Sequence, residues 1–237
     1  LINFSQLYQE FNSPITEKDC GAYCSPYNEH GIPFCCDIRH AVPSAYHEEW
    51  AYLQAHTDLW QLWQPDNDTQ QDAAEIKDQV PENQVLLACK GHHLCQRQFR
   101  TLTCRAFPFY PYFNSKEELL GLSFYWEYRF RCWVISHLDQ VSQRFINQCI
   151  SAFSKLFEAY PSEKDAFSLH STIHRQQMIA RRRRIPLLHK DGGLYLISPR
   201  DENLHPIVPS KLPKYGVYAI AARLPFPEEL DPNSTES

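Results

Sequence analysis

The nine cysteines of this 237-residue chain are unevenly placed. Cys20, Cys24, Cys35 and Cys36 form one group, Cys89, Cys95 and Cys104 a second, and Cys132 and Cys149 stand apart. Thiolates are soft ligands that suit Zn²⁺ and iron–sulfur clusters, and ligand cysteines gather in turns because several sulfurs must be aimed at one point. A disulfide framework is the weaker reading. The count is odd, no export signal is visible, and a chain of this length can build a core without covalent staples. Buried free thiols behave as small hydrophobes. That suits Cys149 on the apolar face of a predicted helix, but not seven cysteines in two polar, turn-rich stretches. Cys20, Cys24, Cys35, Cys36, Cys89, Cys95 and Cys104 are therefore the expected metal ligands. Cys132 is open between core burial and ligation.

The adjacent pair Cys35-Cys36 sharpens this expectation. Neighbouring side chains of an extended segment point to opposite sides, so either the backbone bends sharply there or the two thiols face separate centres. His92 and His93, between Cys89 and Cys95, are the best placed of the eleven histidines to join a mixed site, followed by His40. His170 and His174 are four apart on a predicted helix, but no HExxH pattern accompanies them, and a polar helix face is the simpler reading. Arg105 directly follows Cys104. A guanidinium there would offset thiolate charge or bind an anionic substrate, making it the expected cofactor-side residue. The run Arg181–Arg184 reads as the last turn of a helix, complementing its dipole.

Cys20-x3-Cys24, the Cys35-Cys36 doublet, the Cys89…Cys95 pair and the run Cys104-Arg105-Ala106-Phe107-Pro108-Phe109 together resemble the YkgJ-like cysteine-cluster family. More loosely, the chain is similar to the cysteine-rich part of flagellin lysine-N-methylases. The matching part covers about residues 18–113. The resemblance implies a zinc- or iron-chelating domain, with a 4Fe-4S cluster as one form of the centre, and it supplies no reaction. Two function classes follow: a binding module or metal carrier, and an iron–sulfur-dependent redox or methyl-transfer enzyme.

The elements that must position these thiols are α+β in character: a cysteine-rich metal-binding core of loops and short strands, then amphipathic helices and a C-terminal β-hairpin. Residues 1–135 form the cysteine-cluster region, 136–229 a helical and hairpin lobe packed on it, and 230–237 a disordered tail. In the first region, apolar residues from Tyr46 to Trp63 recur at helical spacing. Residues 64–84 are polar and acidic and read as a surface insertion. Val85–Ala88 is a strand candidate. Phe124, Trp126, Tyr128 and Phe130 alternate as in a second strand, with a helix as the competing reading. In the second region, Leu138 to Tyr160 carries a helical apolar face, and Ser162-x-x-Asp165 resembles a capping box opening a helix toward Ala180. Residues 185–199 read as a hairpin turning at Asp191-Gly192-Gly193. The Pro-rich remainder is expected to wrap the surface.

Bulk properties narrow the function further. A net charge of −5 argues against nucleic acid or anionic lipid as a partner. With only seven glycines there is no GxGxxG or GxxxxGK[ST] loop for a nucleotide. No run approaches the roughly 20 apolar residues of a membrane helix. The opening LINFSQLYQEFNSP has neither the charge nor the apolar stretch of a signal peptide, so a cytoplasmic protein is expected. If the two cysteine groups share a centre, at least four of the seven sulfurs should form one small cluster, with Arg105 at its edge and Cys149 elsewhere.

Overall fold

The computed structural model describes residues 2–65, 73–78 and 80–221. Along the chain these form α1 (Phe4–Glu10), α2 (Cys20–Cys24), β1 (Ser44–Tyr46), α3 (His47–His56), β2 (Trp60–Leu62), α4 (Ala73–Asp78), β3 (Gln84–Cys89) and α5 (Leu102–Ala106). There follow β4 (Phe109–Phe113), β5 (Leu119–Phe124), α6 (Gln143–Ala159), α7 (Pro161–Ala180), β6 (Ile185–His189), β7 (Leu194–Ile197), β8 (Leu204–Pro206) and α8 (Val217–Ala221). The fold is α+β. One antiparallel sheet has the order β1-β3-β2, and the other runs β4-β5-β6-β7-β8.

Local chemistry explains most boundaries. Ser142 caps α6 by accepting a hydrogen bond from the Phe145 amide, and its buried stripe is Phe145, Ile146, Cys149, Ala152, Phe153 and Leu156. Leu138, expected on this helix, lies in a separate 3-10 turn before the cap. Helix α7 opens with Pro161 at its first position, where the missing N–H costs nothing. Tyr160 therefore occupies the cap position, and Ser162, the expected cap, is already inside the helix. The hairpin β6–β7 turns at residues 190–193, as its Asp-Gly-Gly run predicts. The Pro-rich remainder does more than wrap the surface. It adds β8 to the larger sheet and buries Leu212, Tyr215 and Tyr218.

Two expected elements are shorter than their patterns. The helix expected through Trp63 ends at His56, because Trp60–Leu62 pairs with Cys89–Leu87 of β3. The strand expected through Phe130 ends at Phe124, opposite Phe109, and a 3-10 turn occupies Trp126–Phe130. The last backbone contact between the two strands is the Tyr125 amide donating to the Pro108 carbonyl at 3.1 Å. At the β5–β6 pairing, a Cβ on Gly121 would lie 2.1 Å from the Leu188 carbonyl oxygen, so the strands close only on glycine. Part of the expected insertion (residues 66–72 and 79) and the expected tail (230–237) lie outside the described residues.

The two expected regions share one core. Phe11 packs on Phe145 with ring centroids 5.7 Å apart, and the Ser142 amide donates to the Ile15 carbonyl at 2.8 Å. Helix α7 lies on β4, where the Ser171 hydroxyl accepts from the Phe113 amide at 3.0 Å and Arg175 donates to the Phe113 carbonyl. His170 and His174 do not form a polar helix face. His174 is 3% exposed, and its Nδ1 lies 2.5 Å from the Tyr110 hydroxyl. Burial, with the nearby His170, pushes its pKa down to about 3.

Candidate functional site

Four segments bring cysteines to one cleft of about 1380 Å³, lined by Cys20, Cys35, Cys36, Cys89, Cys95 and Cys104. All nine cysteines of the chain are free thiols. Helix α2 is a single turn capped by Asp19, whose carboxylate accepts from the Gly21 amide at 3.1 Å. It presents Cys20 to the cleft and turns Cys24 inward, where the Cys24 thiol lies 3.6 Å from the Gly21 carbonyl. A Cβ on Gly21 would come within 2.9 Å of the Pro33 ring. That close approach seats the doublet segment against α2.

Cys35 and Cys36 occupy a 3-10 turn, and their sulfurs are 3.9 Å apart. Of the two arrangements open to the doublet, the backbone bend is the one present. Just beyond, Asp37 is buried between Asn28 and Arg39. Burial acts upward on its carboxyl, but hydrogen bonds from those partners win and hold it at about 2. His40 lines the cleft with its ring packed on Phe34 at 5.2 Å.

The second group arrives from β3 and the segment after it. Cys89 ends the central strand of the smaller sheet. His92 and His93 line the cleft from a 3-10 turn that leads to Cys95, and the Arg100 Nε donates to the Cys95 sulfur at 3.0 Å. Cys104 sits on α5, whose cap Thr101 accepts from the Cys104 amide at 3.2 Å. Thr103 donates to the Ser44 carbonyl of β1 at 2.7 Å. Below, the buried Glu49 accepts from the Leu102 amide and the Tyr8 hydroxyl, each at 2.5 Å. Burial pushes Glu49 up to about 7, against the pull of those donors and of Arg105.

Electrostatics couple the thiols. Burial raises Cys104 to about 12, and Cys36 and Cys89 add to the effect. Burial likewise raises Cys24 to about 11. Within the doublet, the contact between the two sulfurs pushes Cys35 up and Cys36 down to about 7, the latter with help from Arg100. Although Cys35 has an exposed surface, it stands among protein groups inside the cleft. Cys132 is half-buried, and burial followed by the charges of Cys20 and Cys24 raises its pKa. Cys149 is fully buried in the α6 stripe, and burial accounts for its raised pKa.

Two expectations about this site need correction. Among the described residues, no group of three or more His, Cys, Asp or Glu side chains is gathered so that it could hold a metal ion. The thiols share a cleft, but the expected small cluster of four is not formed. Arg105 is also not at the edge. It is 1% exposed, and its guanidinium donates to the carbonyls of Arg100 (2.9 Å), Tyr8 (3.2 Å), Gln98 (2.7 Å) and Phe11 while lying over the Tyr8 ring. Consecutive helical residues point about 100° apart, so placing Cys104 toward the cleft turns Arg105 into the core. Arg100 takes the position beside the thiols. Its sequence signal was Arg97-x-x-Arg100 set between Cys95 and Cys104, with Arg97 donating to the Asn12 carbonyl at 3.0 Å.

No family model, curated protein or solved structure matches the chain. Among the described residues, no helix is long and apolar enough to cross a membrane.

Proposed function

We propose that the thiol-lined cleft binds a thiophilic metal centre, zinc or iron, the latter including a 4Fe-4S cluster, and that the protein acts as a cytoplasmic metal-binding module or carrier. The observation that carries this reading is the convergence of six free cysteines from distant segments on one cleft. A packing role for so many thiols would bury them, whereas only Cys24 and Cys149 are buried. The resemblance to the YkgJ-like family points the same way. Sulfurs on one ion lie roughly 3.5–4 Å apart, given metal–sulfur bonds of about 2.3 Å. The Cys35–Cys36 separation of 3.9 Å is already in that range, and the other walls must close on the doublet. Metal binding is thus coupled to ordering of the cleft loops.

A second reading, an iron–sulfur-dependent redox or methyl-transfer enzyme, is favoured by one feature. At about 1380 Å³ the cleft is far larger than an ion needs, and Arg39, Arg100 and His40 line it beside the thiols. A centre with an open position would meet a substrate there. The test is anaerobic purification followed by metal analysis and a visible absorption spectrum. Zinc or iron in stoichiometric amount, lost in a Cys35→Ser/Cys36→Ser double variant and kept in Cys149→Ala, supports the proposal. Protein that stays metal-free after zinc addition and after iron–sulfide reconstitution refutes it.

A further inference from the structure

A second recess, of about 140 Å³, shares no lining residue with the thiol cleft. Its walls are Trp126, Arg129, Phe130, Arg181, Arg183 and Tyr215. The 3-10 turn Trp126–Phe130 supplies one side, and the basic run after α7 supplies the other. Its volume is about that of four to five water molecules, enough for a single tetrahedral oxyanion.

Three guanidiniums converge here, and among the described residues none of Arg129, Arg181 or Arg183 pairs with a carboxylate. Arg129 is held in place by its aromatic neighbours. Its guanidinium carbon lies 4.6 Å from the Trp126 ring centre and 3.9 Å from that of Phe130, and one nitrogen donates to the Trp126 carbonyl at 2.9 Å. Its remaining N–H groups stay available. Burial and the charges of Arg181 and Arg183 lower its pKa, and the acidic neighbour Glu127 acts more weakly than either arginine. The Tyr215 phenol lies within the field of Arg183 and Arg129. The Trp126 indole N–H is buried with no hydrogen-bond partner, in a residue 8% exposed. A cluster of like charges beside an unpartnered donor is costly unless an acceptor-rich group of opposite charge joins it.

From this geometry we infer that the recess binds a phosphate group, as inorganic phosphate or a phosphate monoester, through Arg129, Arg181 and Arg183. Forked guanidinium donors match phosphate oxygens in pairs. The usual account of a basic run at a helix end, complementing the dipole, does not explain why Arg129 comes from a distant turn to meet it.

The test is calorimetric titration of the full-length protein with inorganic phosphate at constant ionic strength, with sulfate-free chloride buffer as the blank. Saturable binding is expected. An Arg181→Gln/Arg183→Gln variant, altering exposed side chains, should weaken it at least about tenfold, as should Arg129→Gln. Arg144→Gln, an exposed arginine on α6, should leave it unchanged. Vesicles carrying phosphatidic acid form a second arm. Binding to them alone, with no response to free phosphate, overturns the proposal, because the recess would not then recognise the phosphate group itself. No saturable phosphate binding overturns it too, as does equal weakening by Arg144→Gln.

Discussion

Replacing Arg105 separates two roles a buried cation beside a cysteine can have. Its guanidinium is a fork bonded to four backbone carbonyls, those of Tyr8 and Phe11 on one side and of Gln98 and Arg100 on the other. It thereby fastens the cleft segment between Cys95 and Cys104 to the first helix. A buried acceptor left without its donor costs about 1–3 kcal/mol. Four such acceptors give a gross loss of about 4–12 kcal/mol. Relaxation, and relief from burying a charge, reduce this. Arg105→Met is therefore expected to destabilise the fold by about 3–5 kcal/mol, at the upper end of what single substitutions do. In urea, followed by tryptophan fluorescence, the midpoint should fall by about 1–2 M for a slope near 2–3 kcal/mol/M. Arg105→Lys is the informative companion. It keeps the charge but presents a point ammonium that cannot span four carbonyls, so it should be nearly as destabilised as Met. A stable Arg105→Met that loses only bound metal, with Lys restoring it, would show that Arg105 serves the thiols by its charge, and the staple reasoning would fail.

Other outcomes follow from the same geometry. His174 titrates far below a free imidazole, at about 3. The unfolded chain then binds the extra proton first, so its contribution is complete above about pH 6.5 and is lost as pH falls toward 3. By pH 4 this amounts to about 3 kcal/mol, and a His174→Gln variant should show that much less acid sensitivity in pH-dependent unfolding. A wild-type pH slope in the variant would contradict the burial argument. Gly121→Ala, placing a methyl against the Leu188 carbonyl, should cost about 1–3 kcal/mol or more in thermal unfolding. A neutral result would mean the β5–β6 approach is looser than described. Gly21→Val should push the Pro33 segment off α2 and lower zinc uptake more than stability. Uptake equal to wild type would dissociate that contact from the doublet's position.

What the sequence revealed depended on how local the cause was. Cysteine groups are visible because residue type and spacing are read directly along short stretches, and the cleft draws on both groups. The α6 stripe and the β6–β7 turn were legible for the same reason. Strand β2 was not, because Trp60 and Trp63 continue a helical rhythm that is broken only by pairing with β3 some 27 residues later. Arg105 was assigned by adjacency, whereas its direction is set by the helical angle between it and Cys104. Arg181 and Arg183 stood out as a run, but their partners Arg129 and Tyr215 are scattered, so no window of sequence contains the recess.

The bond from Arg105 to the Phe11 carbonyl, and the packing of Phe11 on Phe145, set an order of events during synthesis. The doublet thiols leave the ribosome early, well before Cys89–Cys104. Helix α6, which adds Phe153 to the cleft lining, emerges some forty residues later still. At translation speeds of about 5–20 residues per second, Cys35 and Cys36 wait several seconds as bare thiols on an unfinished chain. During that interval they are open to oxidants and to whichever metal is most abundant. The cleft lining is complete only once Phe153 of α6 and Glu163 and Phe167 of α7 have been made, so the thiols acquire their finished surroundings late in synthesis.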